Sequence, residues 1–356
     1  MADFFEIDFL DVETKSSGDA ICVRYELGGE TYIHVVDGGY QTTFEKVVKH
    51  LNSHYDTPSF IDHVVATHND GDHAGGLQEI LENYDVGCFW MLGPWNYAGE
   101  LLPRFRNYTS ADSLRRKLRE VYGNLAALED IARRRGIMIC EPFQGAQIGA
   151  FRVMTPTKQR FLDLVASSEK TPEQSTLSQA LVEISKRTFA KAAALVKAAW
   201  GEEYFPSEDT SSENEMSVAQ YANLCGKRIL LTGDTGRGGL NEIINYAPLA
   251  GLALPGIDRF QVPHHGGRHN VNTELLDKLL GPRLQPQHSS KTFSAIISSA
   301  KEDGDHPRKS VVRAMIHRGA KVVTTEGHSI VSYGGASSGH GWGSATPVDY
   351  PDEQED

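Results

Sequence analysis

The densest run of metal-capable side chains in this 356-residue sequence is His68-Asn69-Asp70-Gly71-Asp72-His73. Four potential ligands sit on six residues of what reads as a tight loop, so they can point into one cavity. Glycine at 71 is expected to permit the turn, and Gly75-Gly76 to let backbone approach closely. Imidazole nitrogen and carboxylate oxygen suit zinc, manganese or iron. Two later segments offer further donors, each ending an apolar strand pattern: Asp234 in RILLTGD, and His264-His265 in RFQVPHHGG. Taken singly, Asp234 could be an ordinary strand-terminating turn residue, and the histidine pair a structural or surface pair. Taken together, the three segments reinforce one another as one centre. The set His68, Asp70, Asp72, His73, Asp234 and His265 is too large and too rich in carboxylates for one closed tetrahedral site, so two divalent ions are expected. Two such ions about 3.5–4 Å apart acidify a shared water and stabilise negative charge on an attacked ester, which is the chemistry of hydrolysis.

The elements that must position these residues can be read from periodicity. The opening segments FFEIDFLDV, DAICVRYEL and ETYIHVV are strand-like, broken by Gly18, Gly28 and Gly29. A helix is predicted over 42–54, with Phe44, Val47, Val48 and Leu51 at helical spacing. The apolar run IDHVVAT (61–67) reads as a buried strand that delivers the chain into His68, and VGCFWML (86–92) follows as another after a helix beginning near Gly76. Strand, loop, helix and strand in that order predict a βα-type layer over a sheet. A helical block covers 95–135, with Leu114, Leu118, Val121, Tyr122, Leu125 and Leu128 recurring three or four residues apart. A second covers 171–200, opened by Thr171, Pro172 and Gln174 as a capping box. Strands are expected at 137–140 and 146–154, and again, after the polar linker 207–215, in MSVAQYANL, GKRILLTGD and GIDRFQVPHHGG. A helix from about 272, a strand at 293–299, a helix from about 307 and a strand at 320–325 complete the pattern. The organisation predicted is a single unit over 1–333 with helical insertions near 95–135 and 158–205. Beyond Tyr333 the residues are rich in Gly, Ser, Asp and Glu, so 334–356 is expected to be a mobile acidic tail.

These linked motifs, in this order, resemble the metallo-β-lactamase fold superfamily, and within it the hydrolase domain of ComEC-type competence proteins. The group's LDVG-type turn and DGG are echoed by FLDVETKSSGDA and VVDGGY, its HPDxDHxGG by HNDGDHAGG, its LTGD by LLTGD, and its HHGS by HHGG. The likeness covers most of 4–92 and 213–333 and leaves the helical blocks unexplained. It implies an α+β fold, an αββα sandwich with two metals at one edge. In that arrangement His68 and Asp70 face one metal, Asp72, His73 and His265 face the other, and Asp234 bridges both. Asp70 stands where the superfamily usually has histidine, so oxygen donors are more numerous and the expected ions are zinc or manganese. Another superfamily histidine is absent. Its region, Asn214-Glu215-Met216-Ser217, is similar to the group's NNxS segment and makes Asn214 a candidate at the site. Asp37 resembles the buried aspartate that supports the metal loop. His306, in GDHPRKSVV, matches the second histidine of a GHPHP segment, and could contact a phosphate or protonate a leaving group; otherwise it is a helix-start histidine. Asp72 and His306 are thus the catalytic candidates, with His264 a substrate-binding candidate.

Charge narrows the substrate. With 35 basic and 47 acidic residues the net charge is −12, which excludes coating of nucleic acid or anionic membrane by bulk electrostatics. Within 104–135, however, nine basic residues face four acidic ones, a local +5. Arg115, Arg116 and Arg119 are the candidates there for a polyanion-facing lid; a solvated helix face with internal ion pairs is the alternative. The favoured reading is phosphodiester hydrolysis, with nucleic acid or another phosphodiester as substrate. Small-molecule esterase, lactonase or phosphoesterase activity, or a metal-containing regulatory subunit docking a protein through its helical insertions, are the alternatives. The four scattered cysteines and the acidic, alternating N-terminus predict a reducing, cytoplasmic setting. No apolar stretch approaches the roughly 20 residues of a membrane span.

Overall fold

The computed structural model describes residues 2–171, 195–286 and 291–355. Two seven-stranded sheets form its centre. The first contains β1 (Ala2–Phe9), β2 (Ala20–Leu27), β3 (Glu30–Gly38), β4 (Phe60–Val65), β5 (Asp85–Trp90), β6 (Ile139–Cys140) and β15 (Ile330–Gly335), in the order β15-β1-β2-β3-β4-β5-β6. The second contains β7 (Gln147–Ile148), β8 (Phe151–Thr155), β10 (Ala219–Leu224), β11 (Lys227–Leu231), β12 (Arg259–Gln261), β13 (Phe293–Ile297) and β14 (Ala320–Thr324), in the order β14-β13-β12-β11-β10-β8-β7. A two-stranded ribbon pairs β9 (Leu195–Lys197) with β16 (Glu353–Glu355).

Period-two alternation explains how the sheets stack. In β11, Ile229 and Leu231 enter one core with side chains of the first sheet, while Leu230 between them enters a second core under helices. β13 repeats this with Ile296 on one side and Ala295 and Ile297 on the other. Each such buried aliphatic side chain contributes roughly 1.5–3 kcal/mol. The helices are α1 (Phe44–His54), α2 (Gly71–Ala74), α3 (Leu77–Asn83), α4 (Ala98–Leu101), α5 (Ala111–Val121), α6 (Gly123–Arg135), α7 (Lys158–Ser167), α8 (Ser212–Glu215), α9 (Arg237–Tyr246), α10 (Thr273–Leu280) and α11 (Lys309–His317). Helices α1 and α3 cover the first core, and α9, α10 and α11 the second, which makes the layers αββα. Among the described residues no helix is long and apolar enough to cross a membrane.

Parallel pairing decides where the loops gather. β3 to β6 run parallel in one sheet and β11 to β14 in the other. The chain leaving β3, β4, β11, β12 and β13 carries Asp37, His68, Asp234, His265 and Ser298 respectively, so strand direction collects these residues at strand ends.

Several expectations differ from the structure. The 95–135 block is helical as expected, though divided into α4, α5 and α6, with Ser110 capping α5 through its side chain and left-handed Gly136 ending α6. Of the 171–200 block, 172–194, including the capping residues Pro172 and Gln174, lies outside the described residues, and 195–197 is strand β9 rather than helix. The segment after Tyr333 packs instead of trailing away. Glu355 accepts the Lys309 and Ser310 amides at 2.9 and 3.0 Å, Val348 donates to Val322 at 2.9 Å, and Gln354 is buried. Backbone pairing and capping hold it, and composition does not register these. Cys88 and Cys140, 52 residues apart in sequence, form a disulfide between β5 and β6, whereas Cys22 is a buried free thiol.

Candidate metal centre

β4 ends at Val65, and the chain turns at Thr67 and His68 into α2. Asp37, at the end of β3, pins this turn: its carboxylate accepts the Thr67 amide at 2.9 Å, the Thr67 hydroxyl at 2.6 Å and, at 2.7 Å, pairs with His73 Nδ1. The close approach falls on two glycines. A Cβ on Gly75 would lie 2.5 Å from the Gly71 carbonyl oxygen, and one on Gly76 would lie 2.0 Å from that of Gly38. Gly71, expected to permit the turn, is instead the first residue of α2 and has no positive φ.

The second sheet supplies the facing donors. Asp234 lies three residues past β11, with its amide on Ser217 Oγ at 3.2 Å and its carbonyl held by Asn270 at 2.8 Å. After β12, His264 and His265 both take left-handed backbone, φ 51° and 53°, a conformation costing about 1 kcal/mol or more for a non-glycine residue. That turn directs His265 Nε2 to 3.3 Å from Asp72 and 4.0 Å from Asp234. His264 Nε2 is 3.8 Å from Asp234 Oδ2, and its Nδ1 is 3.1 Å from Asn270 Oδ1.

Three imidazoles present Nε2 inward because Nδ1 is engaged elsewhere: His68 with Thr67 Oγ1 at 3.0 Å, His73 with Asp37, and His265 with the Ser298 carbonyl at 2.9 Å. Such partners fix the tautomer and aim the free nitrogen. The two oxygens of Asp234 face different histidines, Oδ1 lying 3.3 Å from His73 Nε2 and Oδ2 3.7 Å from His68 Nε2.

Asp19 joins them without having been expected from sequence. It is buried, with Oδ2 accepting from Gln261 Nε2 at 3.0 Å and its amide on the Asp72 carbonyl at 3.1 Å. One oxygen each of Asp19 and Asp234 and one nitrogen of His265 lie within 4.8 Å of one another. Gln261 also receives the Thr232 and Gly233 amides on Oε1, at 2.8 and 3.2 Å. The available signal was Gly18-Asp19: a Cβ at 18 would sit 2.8 Å from the Asp72 oxygen, so the glycine marks contact with the metal loop.

Charge and hydrogen bonding both fit a cation. Burial opposes the charge on His73, yet Asp234, Asp37 and Asp72 hold its pKa well above the ordinary imidazole range. Burial likewise opposes charge on His265, but Asp234 and Asp72 keep it up at about 9. Asp234 is held well below the carboxylate range by His73, His264 and His265 despite its burial. The carboxylates thus demand positive charge, and protonated imidazole answers in the bare protein. His68 Nε2, His73 Nε2, Asp19 Oδ1 and Asp234 Oδ1 are buried without an aligned hydrogen-bond partner. Each such atom costs roughly 1–3 kcal/mol unless something satisfies it, and a divalent ion among them does so.

The family profile described as "Metallo-beta-lactamase superfamily" matches residues 17–108, the stretch containing Asp19, Asp37 and the His68–His73 loop. Combined with the αββα layers, that match decides the architecture. The chain has the metallo-β-lactamase fold. It is also 26% identical over 126 residues to ComE operon protein 3 of Bacillus subtilis (strain 168), a match spanning 35% of this chain and 14% of that protein's length. A solved beta-lactamase-superfamily hydrolase, AbOPH, aligns over 72% of this chain and 90% of its own, at 10% identity and a TM-score of 0.32. A metallo-β-lactamase fold implies divalent-metal binding, and the donor cluster described above fits it.

Other expected site residues sit around this donor cluster. Asp70 is at its mouth, with Oδ2 4.0 Å from His68 Nε2 and Oδ1 3.3 Å from Lys170 Nζ, a cation that sequence reasoning did not single out. The His306 ring lies 5.3 Å from that of His264 and 6.0 Å from that of His265, with Nδ1 3.3 Å from Asp303. Burial and the neighbouring His264 and His265 push its pKa down to about 4. Asn214 is buried but donates to Thr210 at 2.8 Å; its link to Asp234 runs through Ser217, whose amide bonds the Asn214 carbonyl. The basic insert is largely ion-paired. Arg115 meets Asp112 at 2.5 Å, and Arg119 meets Glu129 and Asp130 and lies over the Trp95 ring at 5.0 Å. Arg133 and Arg134 also have carboxylate partners, while Arg116 is exposed.

Proposed function

We propose that this chain is a metal-dependent hydrolase that holds two divalent cations, zinc or manganese, and cleaves phosphodiesters, with nucleic acid the favoured substrate. The observation that carries the reading is the convergence of three inward-facing imidazole nitrogens on Asp234, whose two oxygens face different histidines. His68 and Asp70 are assigned to one cation, Asp72, His73 and His265 to the other, and Asp234 to both. Asp19 is assigned to the second side, next to His265. Cations bound there would supply Lewis acidity and an acidified water. Asp37, Thr67 and Ser298 then orient the imidazoles, and Asp72 and Asp234 hold negative charge against them. His264 and His306 line the side beyond His265, where a substrate oxygen can be met. With its pKa low, His306 rests as neutral imidazole, suited to accept a hydrogen bond rather than to hold a proton ready for a leaving group. The motifs similar to those of the ComEC-type hydrolase domain support the metal-dependent hydrolase reading.

A second reading, hydrolysis of a small ester or phosphoester, is favoured by one observation: the insert arginines are mostly occupied by carboxylates. The test is to load purified protein with zinc or manganese, count metal by elemental analysis, and compare single- and double-stranded nucleic acid, a chromogenic phosphodiester and a chromogenic carboxylic ester. Close to two equivalents with phosphodiester turnover, both lost in Asp72→Ala and Asp234→Ala, is the expected result. Zero metal, or turnover of the carboxylic ester alone, refutes it.

A further inference from the structure

Away from this centre, β1, α1 and the segment after β15 bring together a second set of donors, sharing no residue with the first. Asp8 is fully buried on β1. Its Oδ2 lies 3.1 Å from His50 Nε2 on α1, and its Oδ1 2.9 Å from His340 Nε2. One ligand atom from each of the three residues falls within 4.8 Å of the others. A tetrahedral zinc with bonds near 2.05 Å separates its ligands by about 3.3 Å, so small side-chain adjustments suffice.

Five further features point to a ligand rather than to an ordinary ion pair. His50 is 6% exposed, and its Nε2, although close to Asp8, makes no aligned hydrogen bond. Tyr55 donates to Asp8 Oδ2 at 2.5 Å, and Glu6 stands 3.9 Å from His340 Nδ1, itself fixed by Arg24 at 2.8 Å; these are the outer partners that orient metal-binding carboxylates and imidazoles. His340 holds left-handed backbone, φ 59°, and that turn carries its ring to Asp8. The ring of His54 lies 4.9 Å from that of His50 and 4.5 Å from that of His340, so a third imidazole stands beside the group. A cavity of about 670 Å³ opens beside the group, lined by His50, His54 and Trp342 but not by Asp8 or His340.

We propose that Asp8, His50 and His340 form a second, structural metal site that fastens the C-terminal segment to β1 and α1. Two imidazoles and one carboxylate select zinc, or another ion that favours nitrogen, over magnesium or calcium.

The experiment uses the full chain and zinc alone. Metal content and hydrogen exchange of residues 336–346 are measured for wild type, Asp234→Asn and His340→Gln, with circular dichroism confirming the fold. In wild type and in Asp234→Asn, zinc is expected to slow exchange across 336–346 by about tenfold. His340→Gln is expected to lose one zinc equivalent and that protection, while keeping the metal of the other centre. Unchanged exchange in 336–346 on zinc addition to wild type overturns the proposal without any variant being needed. Equal zinc content in wild type and folded His340→Gln overturns it as well.

Discussion

Replacing Asp37 by Asn tests how the metal loop is held. The left-handed backbone at 37, φ 56°, suits asparagine, so the substitution changes charge and hydrogen bonding with little added strain. In the native site Oδ1 takes the Thr67 amide while Oδ2 serves both the Thr67 hydroxyl and His73 Nδ1. An amide cannot do all of this. If its oxygen takes the Oδ1 place, its NH2 faces His73 Nδ1, and the imidazole must move its proton to Nε2, the atom that should bind metal. If the amide flips, the buried Thr67 N–H meets another donor. Losing an outer partner of this kind costs about 10–100-fold in metal affinity. That is about 1.4–2.8 kcal/mol at 1.4 kcal/mol per decade. Zinc competition against a chromophoric chelator reads the affinity, and urea unfolding in excess chelator checks the fold. Folded Asp37→Asn that binds zinc within about threefold of wild type would refute this account of His73.

Four other outcomes follow from the structure. Gly76→Ala forces a Cβ to 2.0 Å from a backbone oxygen, so it should lower stability by roughly 3 kcal/mol or more; a loss under about 0.5 kcal/mol in urea titration would contradict the packing. His265, held at about 9 against an ordinary 6.5, stabilises the metal-free fold fully below pH 6.5, and that contribution is lost as pH rises through 9. Denaturant midpoints in excess chelator should therefore fall over this window, by up to roughly 3 kcal/mol, while zinc affinity rises as fewer protons must be displaced; a flat profile for both would refute the assignment. Arg119→Ala strips a partner from the buried carboxylate of Glu129, leaving Trp95 Nε1 at 3.0 Å and Arg133, and should destabilise by about 2–3 kcal/mol. Arg116→Ala should leave stability unchanged and reduce the salt slope of nucleic-acid binding by about one only if α5 meets phosphate.

The His68–His73 loop, Asp234 and His265 were legible because donor chemistry is concentrated in short segments at the ends of apolar runs. Strand and helix order was legible for the same reason, since alternation and helical spacing are local. Asp19 was not, because one aspartate after a glycine resembles any turn, and only the distance to Asp72 reveals it. Net charge over 104–135 left a polyanion-facing lid and an ion-paired face both open, because a count cannot see that Arg134 crosses to Glu82, or Arg104 to Asp163 at 2.5 Å. The C-terminal segment failed for a related reason. Glycine and serine mark poor burial, but the amides of Lys309 and Ser310 needed acceptors, and Glu355 supplied them.

The burial of the second sheet on both faces has a consequence for how the protein avoids misthreading. A strand with one wet face is kept in register because a one-residue slip would turn its apolar side outward. β11 and β12 lack that safeguard: Leu230 and Phe260 in one core and Ile229 and Leu231 in the other would exchange places without meeting water. Gln261 provides the missing check. Shifted by one position, it would be replaced by Phe260 or Val262, stranding the Thr232 and Gly233 amides together with Asp19. Proofreading of strand alignment and assembly of the metal donors thus depend on one side chain, and a misaligned sheet would disclose itself as a protein unable to retain its ions.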